Sequence, residues 1–242
     1  MICLSRYDLE QIAQRVLRAY IMKCSQGRQP ECIDPELLVA DVLGLYMDAH
    51  RLSLNGQVLG LTAFSPIGIS VYDTDGSECF YELDGNTILI DSELYDDPQK
   101  TGRRNFTIMH EASHQILHML YPNEYGIHNR LAVPVHYSMR DSYEGRPIRN
   151  WDEWQANALA SALLLPGFAI VSGMKKMGLG DRIKILNSLY RRKEFSAFEE
   201  LAVSLGTSKK ALAIRMKQLG LLEKDYLEHP RAMLDIFPEE GL

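Results

Sequence analysis

Apolar residues over the first thirty positions recur with a helical period. Leu9, Ile12, Ala13, Val16, Leu17, Tyr20 and Ile21 fall at i, i+3, i+4 spacing with charged and amide side chains between them. This predicts an amphipathic helix closed by Gly27 and Pro30. Asp34-Pro35 reads as a cap followed by proline at the first helical position, opening a second helix with Leu38, Val42 and Leu45 inward. From Asn55 to Asp91 the period shortens. Ile69–Tyr72, Cys79–Leu83 and Thr87–Ile90 are strand candidates, and Asp84-Gly85-Asn86 predicts a hairpin between the last two.

Helical periodicity returns over about Arg104 to Leu120 and again from Asn150 or Trp151 to Leu165, which Pro166-Gly167 ends. Between them, residues 122–149 read as a long irregular loop, a length that in a compact domain often carries function. Residues 170–224 read as helices with short turns, and 225–242 as a proline-containing acidic tail. Helices, a small sheet, then helices again predict an α+β fold. The expected division is a domain over 1–170, a helical region over 171–224 and a tail over 225–242.

Composition narrows the class. The chain has 242 residues, 46% hydrophobic and 24% charged, which excludes wholesale disorder and supplies a sizeable core. A net charge of −6 excludes nucleic-acid binding driven by bulk positive charge. The sum conceals a division, because residues 171–224 carry 12 basic and 5 acidic side chains, or +7, leaving −13 elsewhere. No apolar run is long enough to span a bilayer, and the N-terminus lacks the apolar stretch of a signal peptide. The four cysteines, Cys3, Cys24, Cys32 and Cys79, form no metal-binding pair. The expectation is a reduced cytoplasmic protein with no membrane partner.

The candidate chemistry lies in His110-Glu111-Ala112-Ser113-His114. Histidines at i and i+4 share one helix face, so both imidazoles can reach one ion, and the intervening glutamate is placed to deprotonate a water there. Phe106, Ile108, Met109, Ile116 and Leu117 make this helix strongly apolar, and buried polar groups at its centre need partners. No histidine follows at position 120, which excludes the metzincin arrangement. His118 continues the stripe, but three ligands in line cannot easily converge on a tetrahedral ion, so it reads as a core or supporting residue. A third ligand is available at the start of the next helix. Glu153 and Asn157 share a face there, one suited to ligation and the other to accepting a histidine N–H. Asp152 is the competing ligand, pointing about 100° away from Glu153. The plainer reading of Glu153 is an acid placed by the helix dipole.

Two blocks carry a resemblance. Arg103-Arg104-Asn105-Phe106-Thr107-Ile108-Met109-His110-Glu111-Ala112-Ser113-His114 resembles the R-x-F-T-x-A-H-E-x-G-H block of the ImmA/IrrE-type metallopeptidases. Glu153-Trp154-Gln155-Ala156-Asn157, continuing to Leu164-Leu165-Pro166, resembles that family's E-x-x-A-N-x-F-A-x-x-L-L-M-P block. Met109 and Ala112-Ser113 depart from the pattern, and a serine where glycine usually stands would tighten contact with a neighbouring strand. The resemblance implies a gluzincin-like core, one zinc ion held by His110, His114 and Glu153, and Glu111 as general base. It further implies a bacterial, often phage- or mobile-element-borne, endopeptidase that acts on a helix-turn-helix repressor and so derepresses genes. Strand 87–91 is the expected edge for an extended peptide. His136, Tyr137, Tyr143 and Arg146 are the candidate oxyanion donors.

Residues 198–222 carry a helix, a glycine turn, a Thr207-Ser208 cap and a second helix with Lys209, Lys210, Arg215 and Lys217. This is a helix-turn-helix-like pattern, and a weak DNA contact is the corresponding partner expectation. The alternative function is a DNA-binding or repressor-sequestering regulator whose metal site is not catalytic.

Overall fold

The computed structural model describes residues 2–125, the backbone of 135–139, and residues 150–232. The chain is α+β and divides into two compact units, Met1–Leu164 and Leu165–Leu242. The boundary falls just before Pro166, a few residues earlier than the expected 170. Among the described residues no single helix is long and apolar enough to cross a membrane, and all four cysteines are free thiols.

In the first unit, helix α1 (Arg6–Cys24) opens on a capping box in which Ser5 and Asp8 satisfy each other's backbone N–H groups. It ends where Gly27, at φ 79°, donates its N–H to the Ile21 carbonyl. The next helix opens as expected, with Asp34 accepting from Glu36 and Leu37 N–H and Pro35 behind it. Only α2 (Pro35–Leu37) is α-helical, however, and Leu38–Leu43 continues as a π-helix. The wider turn shifts the inward face, so Leu38 and Val39 are buried and Val42 is only half-buried.

Four strands form the main sheet in the order β1 (Tyr46–His50), β5 (Thr87–Asp91), β2 (Val58–Ala63), β6 (Val135–Met139). β5 runs parallel to β1 and antiparallel to β2. β3 (Ile67–Tyr72) and β4 (Glu78–Leu83) pair with each other as a separate hairpin turned at 73–77. Two expectations are corrected here. Asp84-Gly85-Asn86 is not a hairpin between β4 and β5; it is a crossover between the two sheets. All five residues of β5 are buried, as in a strand covered on both faces and flanked on both sides, whereas β4 alternates and needs one buried face only. For the same reason 87–91 is not an edge: its hydrogen-bonding groups are taken by β1 and β2. A third correction concerns 122–149, which contains strand β6 rather than loop alone.

Side chains alternate across the sheet. Ile88 and Ile90 pack with Leu59, Val39, Leu45, Ile108 and Ala112 on one face. Leu89 packs with Leu61, Ala63, Ile69, Val71 and Leu83 on the other, against the β3–β4 hairpin. Helix α3 (Ser92–Tyr95) and a 3-10 turn (Pro98–Lys100) lead into α4 (Thr101–Leu120), whose residues Thr107–Leu117 are all buried. Helix α5 (Trp151–Leu164) packs against both α4 and α1.

The second unit holds α6 (Gly167–Lys176), β7 (Ile183–Leu186), α7 (Arg192–Ser204), α8 (Lys209–Gln218) and β8 (Leu222–Asp225). The parallel pairing of β7 and β8 corrects the all-helical expectation. Parallel strands need a crossover, and α7 and α8 supply it. The α7–α8 turn passes through Gly206 at φ 63°, and Ser208 caps α8 by accepting from Ala211 N–H.

Candidate metal centre

Helix α4 brings His110 and His114 onto one face, one turn apart, and the first turn of α5 brings Glu153 to meet them. His110 Nε2 lies 3.0 Å from His114 Nε2 and 3.2 Å from Glu153 Oε2, and His114 Nε2 lies 3.4 Å from Glu153 Oε1. These three residues could hold a metal ion, and they are the one such cluster among the described residues. His114 is fully buried, whereas the Glu153 side chain is 19% exposed, so the cluster opens to solvent on the α5 side.

The outer nitrogens of both imidazoles are engaged. His110 Nδ1 lies 3.1 Å from Asn157 Oδ1, one turn beyond Glu153 on α5. An amide oxygen only accepts, so this Nδ1 carries hydrogen and Nε2 faces the cluster. His114 Nδ1 lies 2.7 Å from the hydroxyl of Tyr125, which in turn donates to the Asp152 carbonyl at 3.1 Å. Asn157 thus stands where its spacing from Glu153 placed it. Tyr125 carries no such signal in the sequence. It lies just beyond α4 in a stretch with no periodicity, and nothing local marks it as buried.

Glu111 is fully buried beside this cluster. Its helix approaches β2 at Gly60, where an added methyl group would stand 2.7 Å from Thr107 Cγ2 and 3.0 Å from Glu111 Oε1. The close approach is therefore at Gly60. The Ser113 hydroxyl donates back to the Met109 carbonyl of its own helix at 2.7 Å. Gln115 adds a second tie to β2, donating to Thr62 Oγ1 at 2.7 Å and to the Ala63 carbonyl at 2.8 Å. Neither Gly60 nor Gln115 was singled out from sequence, although an isolated glycine within a strand pattern is a known sign of close backbone approach.

The electrostatics fit a cation. Burial opposes charge on His110, yet the Glu153 carboxylate beside it, Glu111 and Asn157 together move its pKa above the ordinary imidazole value. The Tyr125 phenol is pushed well up by burial and by the Asp152, Glu153 and Glu111 carboxylates, so it keeps its proton at any working pH.

Other candidates fall elsewhere. His118 stacks on Phe64, with ring centroids 4.1 Å apart and planes 7° from parallel, and takes no part in the cluster. Asp152 is fully buried and contributes its carbonyl to Tyr125 rather than a carboxylate to the cluster. The side chains of His136 and Tyr137, and all of Tyr143 and Arg146, lie outside the described residues. In the second unit the basic side chains of the helix-turn-helix pattern are engaged locally. Lys209 pairs with Glu199, Lys210 with Glu228 and Lys217 with Asp225. Arg215 is buried and donates to the Leu165 carbonyl.

The sequence matches no protein-family model and no curated protein.

Proposed function

We propose that the protein is a zinc-dependent endopeptidase of the ImmA/IrrE type, with a gluzincin-like core, that cleaves a peptide bond in a protein substrate. The observation that carries this reading is the spacing of the three ligand atoms, 3.0, 3.2 and 3.4 Å. Ligands bound to a tetrahedral zinc at about 2.0–2.1 Å stand about 3.4 Å from one another. Two imidazoles and one carboxylate suit zinc, and three protein ligands leave the fourth position open, as catalytic sites do.

Zinc in this site would polarise the scissile carbonyl and acidify a water. The chain's own residues supply the rest. Asn157 orients the His110 imidazole, and the Glu111 carboxylate takes the proton of the attacking water and delivers it to the leaving amine nitrogen. An extended peptide would add to a sheet edge, and β6 is the edge strand that contacts α4. The proposed substrate class is a helix-turn-helix transcriptional repressor. The two sequence blocks support it, together with the charge of −13 outside residues 171–224, which suits a basic partner.

The test uses zinc-loaded wild type and Glu111→Gln on a proteome-derived peptide library, with new termini read by mass spectrometry. Wild type should cut, chelation should stop it, and Glu111→Gln should bind zinc yet cut at least about 100-fold more slowly. Equal cutting by Glu111→Gln, or cutting indifferent to chelator, would overturn the assignment. For the substrate class, a repressor encoded beside the protein that survives incubation with active enzyme would exclude that repressor.

A further inference from the structure

Tyr125 is fully buried, and its single hydroxyl hydrogen is already assigned, because the Asp152 carbonyl 3.1 Å away can only accept. A hydroxyl hydrogen given to Asp152 leaves the 2.7 Å contact with His114 to run the other way, with His114 Nδ1–H donating to the phenolic oxygen. This fixes the hydrogen on Nδ1, and in the neutral ring it leaves the Nε2 lone pair facing His110 and Glu153. Asp152 immediately precedes Glu153 in the first turn of α5. One hydroxyl thus ties the second histidine of α4 to the backbone that presents the third ligand.

We infer that Tyr125 is a positioning residue for the metal centre, holding His114 in its ligating tautomer and fixing the start of α5, and with it Glu153, at bonding distance. Asn157 orients His110 alone, whereas Tyr125 acts on ligands from both helices. The role differs from that of an oxyanion donor, because the phenol's hydrogen is committed to Asp152. The inference rests on the metal-binding reading of His110, His114 and Glu153.

Two measurements test it, neither depending on peptidase activity. The first is nitrogen-15 NMR of the histidine side chains in the metal-free wild type, at a pH where His114 is neutral. Hydrogen on Nδ1 of His114 is expected, and hydrogen on Nε2 would overturn the inference without any variant having to fold. The second is zinc affinity by competition with a chromophoric chelator for wild type, Tyr125→Phe and Ile90→Val. The last is a packing change at a buried position of β5 that supplies neither a ligand nor a ligand's hydrogen-bond partner. Tyr125→Phe is expected to bind zinc about 10- to 100-fold more weakly. Ile90→Val, which costs fold stability but leaves every ligand and its hydrogen-bond partner in place, should bind as wild type does. Equal affinity of wild type and Tyr125→Phe would overturn the positioning role while leaving the metal reading intact. Equal weakening in Ile90→Val would overturn it too, by showing that general loosening suffices. Failure of wild type itself to bind zinc would overturn the metal reading, and the positioning role with it.

Discussion

Gly60 and Glu111 are in contact across the interface between sheet and helix: a methyl group at Gly60 would stand 3.0 Å from Glu111 Oε1. The same methyl group would stand 2.7 Å from Thr107 Cγ2, a branched side chain with little rotamer freedom on a helix. Gly60→Ala should therefore push α4 off the sheet and cost about 1–3 kcal/mol in urea unfolding. Thr107→Ser removes the clashing carbon, so the double variant should recover part of that loss. A Gly60→Ala protein as stable as wild type would show that the helix has room to shift.

Gln115 donates to two acceptors on β2 from a buried position. Gln115→Met keeps its length and volume but leaves Thr62 Oγ1 and the Ala63 carbonyl without this donor. The expected loss is about 1–3 kcal/mol, read as a lower denaturation midpoint with an unchanged slope.

A zinc ion bound at His110 would compete with the proton that the Glu153 and Glu111 carboxylates favour there. The raised His110 value means that the metal-free fold gains stability from this group below the unfolded imidazole value. That gain disappears as pH rises through the folded value. Zinc affinity should accordingly strengthen with pH over the same interval, measured by calorimetric titration at about pH 6 and pH 8. Affinity that fell with rising pH would contradict the ligand assignment.

Asp91 offers a pH effect independent of metal. Burial raises its carboxyl pKa, and the Leu52 N–H that donates to Oδ2 at 3.1 Å offsets only part of the shift. Because the folded state binds the proton more tightly, stability should fall as pH climbs from the unfolded value of about 3.9 through the folded one. The cost then persists at neutral pH. Asp91→Asn keeps an oxygen to accept from Leu52 and removes the charge, so its melting temperature should vary less over this interval and be no lower at neutral pH. An equally steep profile would locate the effect elsewhere.

The candidate site was more legible than the sheet because its signals are local. His110, Glu111 and His114 lie within five residues, and Glu153 and Asn157 within another five, so helical periodicity alone places His110 with His114, and Glu153 with Asn157, on one face. Strand partners are not local. The turn chemistry of Asp84-Gly85-Asn86 suits a hairpin, but the unbroken apolar run Ile88-Leu89-Ile90 requires neighbours on both sides, and β1 and β2 come from far earlier in the chain. The π-helical turns of Leu38–Leu43 and the burial of Tyr125 likewise depend on what packs against them.

Eleven consecutive residues of α4, Thr107–Leu117, are withdrawn from solvent, and the histidine turn lies within them. Local fraying cannot open such a segment, so its amide hydrogens should exchange only when the whole unit unfolds. The first turn of α5, where Glu153 remains partly exposed, should exchange sooner. The centre therefore joins a slow wall to a faster one, and an ion would enter and leave by loosening the carboxylate side while the two imidazoles stay in place.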